Sequence, residues 1–199
     1  MPNVLSSELL NKLFVLFSQK LYKDISIEDI AKELGMSRRS FYNYFTSKDE
    51  CFLYVIRYVS DIFISELIRR SLNISNDHLS VLESILDFSV EATIHNGFFN
   101  SNVRSFTLNP SSQEILADYS AYYQEFKDKF ESILKKQISL CKPELDDPNI
   151  TIKTFFVMTM FLGLDAQIYN NLISGNNTFD VDFFKSEYKT KLLHYIMNS

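Results

Sequence analysis

The sequence predicts an all-α protein with about nine helices. Apolar residues recur three and four positions apart along nearly the whole chain, starting with Leu10, Leu13, Phe14, Phe17 and Leu21. This is the spacing of a buried helix face. Residues that cap helices precede most of these apolar stretches. No alternating apolar pattern bounded by turn residues competes with them, so we expect no sheet.

Capping residues, glycines and one proline set the bounds of the predicted helices. Gly35 suits the left-handed position that ends the second helix, and Ser47–Glu50 is a capping box that opens the fourth. Pro148 suits the first turn of the eighth helix, where an amide hydrogen would stay unpaired. The expected helices, in order, are one containing Leu10 to Leu21, then Ser26 to Gly35, Ser37 to about Tyr44, Ser47 to about Leu72, Asn76 or Asp77 to Gly97, 98 to 106, Pro110 to Leu140, the cap Asp147 to Gly175, and the cap Asp180 to about Met197.

The composition excludes several kinds of site. Only four glycines occur, and no two lie close together, which excludes a Walker loop and a GxGxxG turn. Two cysteines are too few for a disulfide scaffold or a Cys-based zinc site, and the three histidines lack metal-ligand spacing, so we expect no metal and no cofactor. The longest apolar stretch, Phe155 to Leu164, is too short to span a bilayer. No signal peptide is recognisable, so we expect a cytoplasmic protein without membrane contact.

Charge is distributed unevenly along the chain. Residues 1–48 carry seven Lys and Arg against five Asp and Glu, whereas residues 49–199 carry 13 against 20, which gives the net charge of −5. An acidic chain is a poor non-specific ligand for polyanions. Any nucleic-acid contact is therefore expected in the N-terminal quarter.

Residues 27–45 have the pattern of a helix-turn-helix. Ala31 is the small residue that a close helix crossing needs, and Gly35 tolerates the backbone conformation of the turn. Arg38, Arg39 and Ser40 follow at the start of the second helix, where a recognition helix reads bases and where arginine suits guanine. A plain helical hairpin with a solvated arginine pair is the alternative interpretation.

At these residues the chain resembles the tetracycline-repressor (TetR) family of transcriptional regulators. The resemblance rests on Phe17-x-x-Lys20-x-Tyr22, on Ser26-Ile27-x-x-Ile30-Ala31-x-x-Leu34-Gly35-Met36-Ser37, and on Phe41-Tyr42-x-Tyr44-Phe45-x-Ser47-Lys48. It implies a DNA-binding domain at residues 1–47 and a ligand-binding and dimerisation domain at 48–199. It also implies DNA contacts to bases or phosphates from a group of residues in and around the helix-turn-helix: Ser26, Ser37, Arg38, Arg39, Ser40, Tyr42, Tyr44 and Lys48.

Two residues depart from the pattern of this family. Leu21 stands where glycine is usual, and we expect it to change a turn without loss of the fold. Arg39 stands where a small residue is common, and its long cation is expected to alter sequence preference.

The remaining 150 residues give evidence about the role of this part of the protein but do not identify its ligand. Aromatic residues at helical spacing predict either a filled core or a mostly apolar cavity, and the sequence leaves this choice open. His95, Arg104 and Asp165 are polar residues within these apolar stretches. The expected lining of a cavity for a small-molecule effector is Phe88, His95, Arg104, Tyr123, Phe126, Phe155, Met158 and Asp165.

Another face of the eighth helix carries small and polar residues. A glycine inside a helix costs about 1 kcal/mol relative to alanine, and close approach of a second helix would offset this cost. The expected partner is the same helix of a second subunit. The predicted homodimer interface contains Thr159, Gly163, Ala166, Asn170, Phe184 and Tyr188.

These observations favour a ligand-responsive repressor that binds a palindromic DNA operator as a homodimer. The alternative is a protein with the same fold that acts as a co-activator or small-molecule binding module without operator binding. An all-α enzyme is a third hypothesis, but no nucleophile and base occur at a recognisable spacing, so we expect no catalysis.

Overall fold

The structure is a computed structural model that describes residues 5–72, 77–108, 112–174 and 181–198, apart from the side chains of residues 169, 172–174 and 181–184. In these ranges the chain forms nine α-helices and one 3-10 helix, with no strand, which confirms the all-α prediction. The α-helices are α1 (Ser7–Gln19), α2 (Ile27–Glu33), α3 (Arg38–Phe41), α4 (Lys48–Ser71), α5 (His78–His95), α6 (Gly97–Leu108), α7 (Gln113–Cys141), α8 (Asp147–Ser174) and α9 (Val181–Asn198), and the 3-10 helix η1 (Tyr22–Asp24) follows α1.

The caps predicted around the helix-turn-helix are confirmed. The Ser26 hydroxyl accepts the backbone N–H of Asp29 at 3.1 Å, and the Asp29 carboxylate accepts the backbone N–H of Ser26 at 2.9 Å, which completes a capping box. Gly35 has φ +66°, the left-handed value that favours glycine. Ser37 caps α3 by accepting the N–H of Ser40 at 3.1 Å.

Helix α3 is shorter than predicted, because it ends at Phe41 and not near Tyr44. The amides of Asn43 and Tyr44 bond to the carbonyls three residues earlier, at 3.1 and 2.9 Å, so the chain tightens into turns.

Two other predicted helix starts differ from the structure in one detail each. Ser47 caps α4 as expected, but the Glu50 carboxylate accepts the backbone N–H of Thr46 at 2.6 Å and not that of Ser47. The predicted cap Asp147 is wrong, since Asp146 caps α8 by accepting the N–H of Asn149 at 3.1 Å. The predicted bounds at Asn76, Pro110, Gly175 and Asp180 lie outside the described residues.

Packing divides the chain into two compact units. Unit 1 comprises residues 1–62 and 98–124, and unit 2 comprises residues 63–97 and 125–199, so α4 and α7 contribute residues to both. These units follow the packing of the chain. The functional division into residues 1–47 and 48–199 stays a prediction.

The core of unit 1 is largely aromatic. Phe17, Phe41, Phe52 and Phe106 are fully buried. The ring of Phe52 packs against those of Phe17 and Phe106, with centroids 4.5 and 5.5 Å apart. Burying each of these side chains contributes about 1.5–3 kcal/mol. This core fixes α1, α2 and α3 against the first half of α4.

The core of unit 2 combines aliphatic side chains with one group of phenylalanines. Leu82, Leu86, Leu134 and Ile196 are fully buried. Phe63, Phe88, Phe126, Phe130 and Phe161 form the aromatic group. Within the described ranges, none of these helices is both long and apolar enough to cross a membrane.

Candidate nucleic-acid interface

The second helix of the helix-turn-helix presents its polar residues to solvent. Arg38 and Arg39 are exposed at the start of α3, and Ser40 is half-buried. The hydroxyls of Ser37 and Ser40 lie 2.9 Å apart and share a hydrogen bond. The predicted DNA-contacting residues of α3 therefore lie together at one end of the motif.

The two arginines differ in their pairing. The Arg38 guanidinium forms an ion pair with Glu28 of α2 at 2.5 Å. A hydrogen bond with Tyr42 and the charge of Glu28 raise the pKa of Arg38. Arg39 makes no hydrogen bond or ion pair with any residue that the structure describes. Its five donors are thus available to an external acceptor.

Tyr42 and Tyr44 contribute different surfaces to the motif. Tyr42 is 47% exposed, and its ring meets the buried ring of Phe41 edge-on, with centroids 5.4 Å apart. Tyr44 is half-buried and packs against the core of unit 1. The exposed Ser26 hydroxyl is engaged in the cap of α2. Tyr42 therefore presents the more accessible hydroxyl-bearing ring.

Lys48 is held inside the domain. Its Nζ donates to the carbonyl oxygens of Tyr22 and Ile25 at 2.9 and 3.0 Å, and it lies 4.2 Å from the centroid of the Tyr22 ring. Burial lowers the pKa of Lys48. The ammonium group joins the start of α4 to η1 and to the loop before α2.

A buried polar network surrounds the same turn, and the sequence analysis missed it. Asn102 of α6 accepts the backbone N–H of Tyr22 at 2.8 Å and donates to the carbonyls of Phe17 and Lys20 at 2.7 and 2.8 Å. The Tyr22 hydroxyl donates to the buried carboxylate of Asp49, and burial raises the pKa of Tyr22. The periodicity of residues 98–106 gave no signal for this role, because a buried asparagine looks the same as a solvated one in sequence.

The turn itself explains how the chain accepts Leu21 where the family usually has glycine. Leu21 has φ −62° and ψ 138°, an extended conformation open to any residue, and its side chain is exposed. The turn after α1 is thus made without a left-handed residue.

The family model described as bacterial regulatory proteins, tetR family, matches residues 9–55, which include α1, α2, α3 and the start of α4. This N-terminal region is of the TetR type. HTH-type transcriptional regulators of Staphylococcus aureus, such as that of strain USA300, are 27% identical over 120 residues. That match covers 60% of this chain and 62% of the relative.

Solved structures share the fold over nearly the whole chain. A TetR transcription regulator from Haloarcula marismortui matches with a TM-score of 0.73 and 16% identity, covering 95% of this chain and 94% of that one. The regulator FadR from Bacillus subtilis, solved in complex with stearoyl-CoA, matches with a TM-score of 0.66 and 12% identity, covering 94% and 96%. At these identities the likeness establishes the fold alone.

The predicted effector-binding residues fall in both units. In unit 2, Phe88 and Phe126 both contact Phe63, with ring centroids 5.3 and 5.8 Å apart, so these two predicted residues lie together. Met158 and Asp165 of α8 are half-buried, and Met158 packs against the core of unit 2. His95 is exposed in the last turn of α5.

Arg104 and Tyr123 belong to unit 1. Arg104 is half-buried in α6, and Tyr123 is 37% exposed and stacks on Tyr119, with centroids 5.8 Å apart. Phe155, also predicted as cavity lining, is 71% exposed. It lies four and eight residues before Thr159 and Gly163, so it shares their face of α8.

This face of α8, defined by Phe155, Thr159, Leu162, Gly163 and Asn170, is exposed along its length. Leu162 is 58% exposed, and a Cβ added at Gly163 would meet no atom within 4 Å. The other predicted interface residues are not exposed in the same way. Ala166 is half-buried, and the Tyr188 hydroxyl donates to the carbonyl of Met160. The Phe184 side chain lies outside the described residues.

Proposed function

We propose that this protein is a ligand-responsive repressor that binds a palindromic DNA operator as a homodimer. The observation that carries the proposal is Arg39, an exposed arginine at the start of the second helix of a TetR-type motif, with its guanidinium unpaired among the described residues. An arginine in this position suits the O6 and N7 acceptors of guanine in the major groove.

Around Arg39 we assign two kinds of DNA contact. Arg38 exchanges its ion pair with Glu28 for an acceptor on DNA, since an exposed pair of this kind contributes only about 0–1 kcal/mol to stability. Tyr42 and Tyr44, with Ser26, Ser37 and Ser40, donate to phosphates or adjacent base edges. Lys48 supports this surface from within, because two backbone carbonyls already accept from its ammonium group.

The exposed face of α8 supports the homodimer. Phe155, Leu162 and Ile152 are each more than half exposed in the single chain, and contiguous apolar surface of this kind marks association sites. A second copy of α8 would cover these side chains and approach closely at Gly163. Two DNA-binding domains would then meet the two halves of a palindrome.

The effector is proposed to be a small molecule with a substantial apolar part. The phenylalanines around Phe63, Phe88 and Phe126 are half-buried and offer apolar walls. The Bacillus subtilis neighbour was solved with stearoyl-CoA, a ligand with a long apolar chain. Binding would favour one conformation of the body, and this population shift would change the spacing of the two DNA-binding domains.

Selection of bound duplexes from a random pool tests the proposal. We expect the wild-type protein to select a palindrome, and Arg39→Ala to lose about 1–3 kcal/mol of discrimination at one position of each half-site. Arg69→Ala is the matched control, because Arg69 is an exposed arginine of unit 2 paired with Glu66, and it should select the same palindrome. Failure of the wild-type protein to select any duplex would instead favour the binding module without operator binding.

A further inference from the structure

Arg57 lies in α4 within unit 1, and its side chain forms no ion pair in the described part of the chain. Its Nε is inaccessible to solvent and has no hydrogen-bond acceptor, and the guanidinium forms no ion pair with a described residue. Arg38 and Arg69, by contrast, each face a carboxylate at 2.5 and 2.6 Å and are exposed to water.

An unsatisfied buried donor is costly. Leaving such a group without an acceptor destabilises the folded protein, and a charged group more than a neutral one, so native proteins contain few of them. Asp61 lies one turn further along α4 but accepts the Tyr122 hydroxyl at 3.2 Å and forms no ion pair with Arg57. The described residues thus leave this Nε–H without an acceptor, and an external anion would supply one.

The surroundings of Arg57 are aromatic. Its guanidinium carbon lies 5.5 Å from the centroid of the Tyr122 ring. The Tyr122 hydroxyl also donates to the carbonyl of Arg57 at 3.1 Å, which fixes the ring beside the guanidinium. On the same helix Tyr119 stacks on Tyr123, with centroids 5.8 Å apart. A cation beside rings suits a ligand with an anionic end and an apolar body.

We propose that Arg57 binds a carboxylate or phosphate group of the effector. The guanidinium would donate two parallel hydrogen bonds, and the Tyr122 ring would hold it in position. The planar guanidinium matches two oxygens of either group, and this geometry distinguishes arginine from lysine. The inference rests on the proposed ligand-responsive function and specifies the chemistry of the ligand.

The test uses the full-length protein and four probes that share a ten-carbon chain: decanoate, decyl phosphate, 1-decanol and decylamine. Thermal unfolding and the NMR resonance of the Arg57 Nε–H, assigned by its loss in Arg57→Lys, report binding. We expect decanoate or decyl phosphate to raise the melting temperature and shift this resonance, and decanol and decylamine to do neither. Preference for decanoate would indicate a carboxylic acid effector, and preference for decyl phosphate a phosphorylated one.

Arg57→Gln should weaken binding of the preferred anion by about tenfold or more, whereas Arg69→Gln, on the same helix, should not. Equal binding of decanol and decanoate, equal anion affinity of the two variants, or an unshifted Arg57 resonance with every probe would overturn the assignment. DNA binding without probe separates this from the proposed function. If the wild type and Arg57→Gln both bind the selected duplex but no anion binds, only the effector assignment fails.

Discussion

Asn102 offers the sharpest test of how the DNA-binding domain is held, because one side chain makes three hydrogen bonds to the turn after α1. It joins α6 to the backbone of Phe17, Lys20 and Tyr22, and it is 1% exposed. Asn102→Ala should therefore loosen the turn without touching the DNA-contacting residues of α3.

The expected loss follows from the contacts. Three hydrogen bonds at 2.7–2.8 Å, each with a net value of about 0.5–1.5 kcal/mol, give about 1.5–4.5 kcal/mol. Backbone groups left buried without a partner add to this loss unless water enters the space that the amide vacates. We expect Asn102→Ala to lower the free energy of unfolding by about 2–5 kcal/mol. This is a large share of the about 5–15 kcal/mol of an ordinary domain.

Urea unfolding and hydrogen exchange measure this effect. The Tyr22 amide should exchange much faster in Asn102→Ala, since it loses its acceptor. Asn100→Ala is the matched control, because Asn100 lies on the same helix, is half-buried and has no hydrogen-bond partner among the described residues. It should stay within about 0.5 kcal/mol of the wild type. Equal stability of the two variants, with unchanged protection of Tyr22, would refute the role given to Asn102.

Three further predictions concern the cap of α2, the anchor of α4 and the face of α8. Hydrogen bonds from Ser26 lower the pKa of Asp29 from 3.8 to about 2. This carboxylate therefore stabilises the fold above pH 3.8, and its contribution is lost as the pH falls toward 2. A pKa of 3.8 for Asp29 in the folded protein, measured by NMR titration, would contradict this. Lys48→Met should lower stability by about 1–3 kcal/mol and leave the salt dependence of DNA binding unchanged. A slope smaller by about two for the dimer, one for each copy of Lys48, would instead show a phosphate contact. Phe155→Lys and Gly163→Leu should give folded monomers in sedimentation, because both positions are open in the single chain, and a normal dimer would exclude this interface.

The features that the sequence predicted are those set by local structure. The caps Ser26 and Ser37 and the positive φ of Gly35 depend on a few neighbouring residues, so their pattern can be read directly. The shift from Asp147 to Asp146 has the same local origin: two adjacent aspartates are equally good caps, and sequence alone cannot choose between them.

The features that escaped prediction depend on residues far apart in the chain. Asn102 contacts residues 80 or more positions away, and Arg57 meets Tyr122 across 65 positions. Helical periodicity assigns a residue to a face but does not say which helix covers that face. For the same reason Phe155 looked like cavity lining, although its face of α8 is exposed in the single chain.

The ion pairs of the first 48 residues also bear on how DNA binding responds to salt. Of the seven cations there, four are engaged inside the chain, by carboxylates or by carbonyls: Lys12, Lys20, Arg38 and Lys48. Lys23, Lys32 and Arg39 have no such partner among the described residues. If only these three cations displace counterions from DNA, Arg39 at bases and the two lysines at phosphates, a dimer contributes about six charges, and log K falls with log salt at a slope of about −5. A slope near −13 would mean that Arg38 and the three paired lysines also leave their partners on DNA. A slope near −5 would mean that neutral donors such as Tyr42 carry a larger share of the binding.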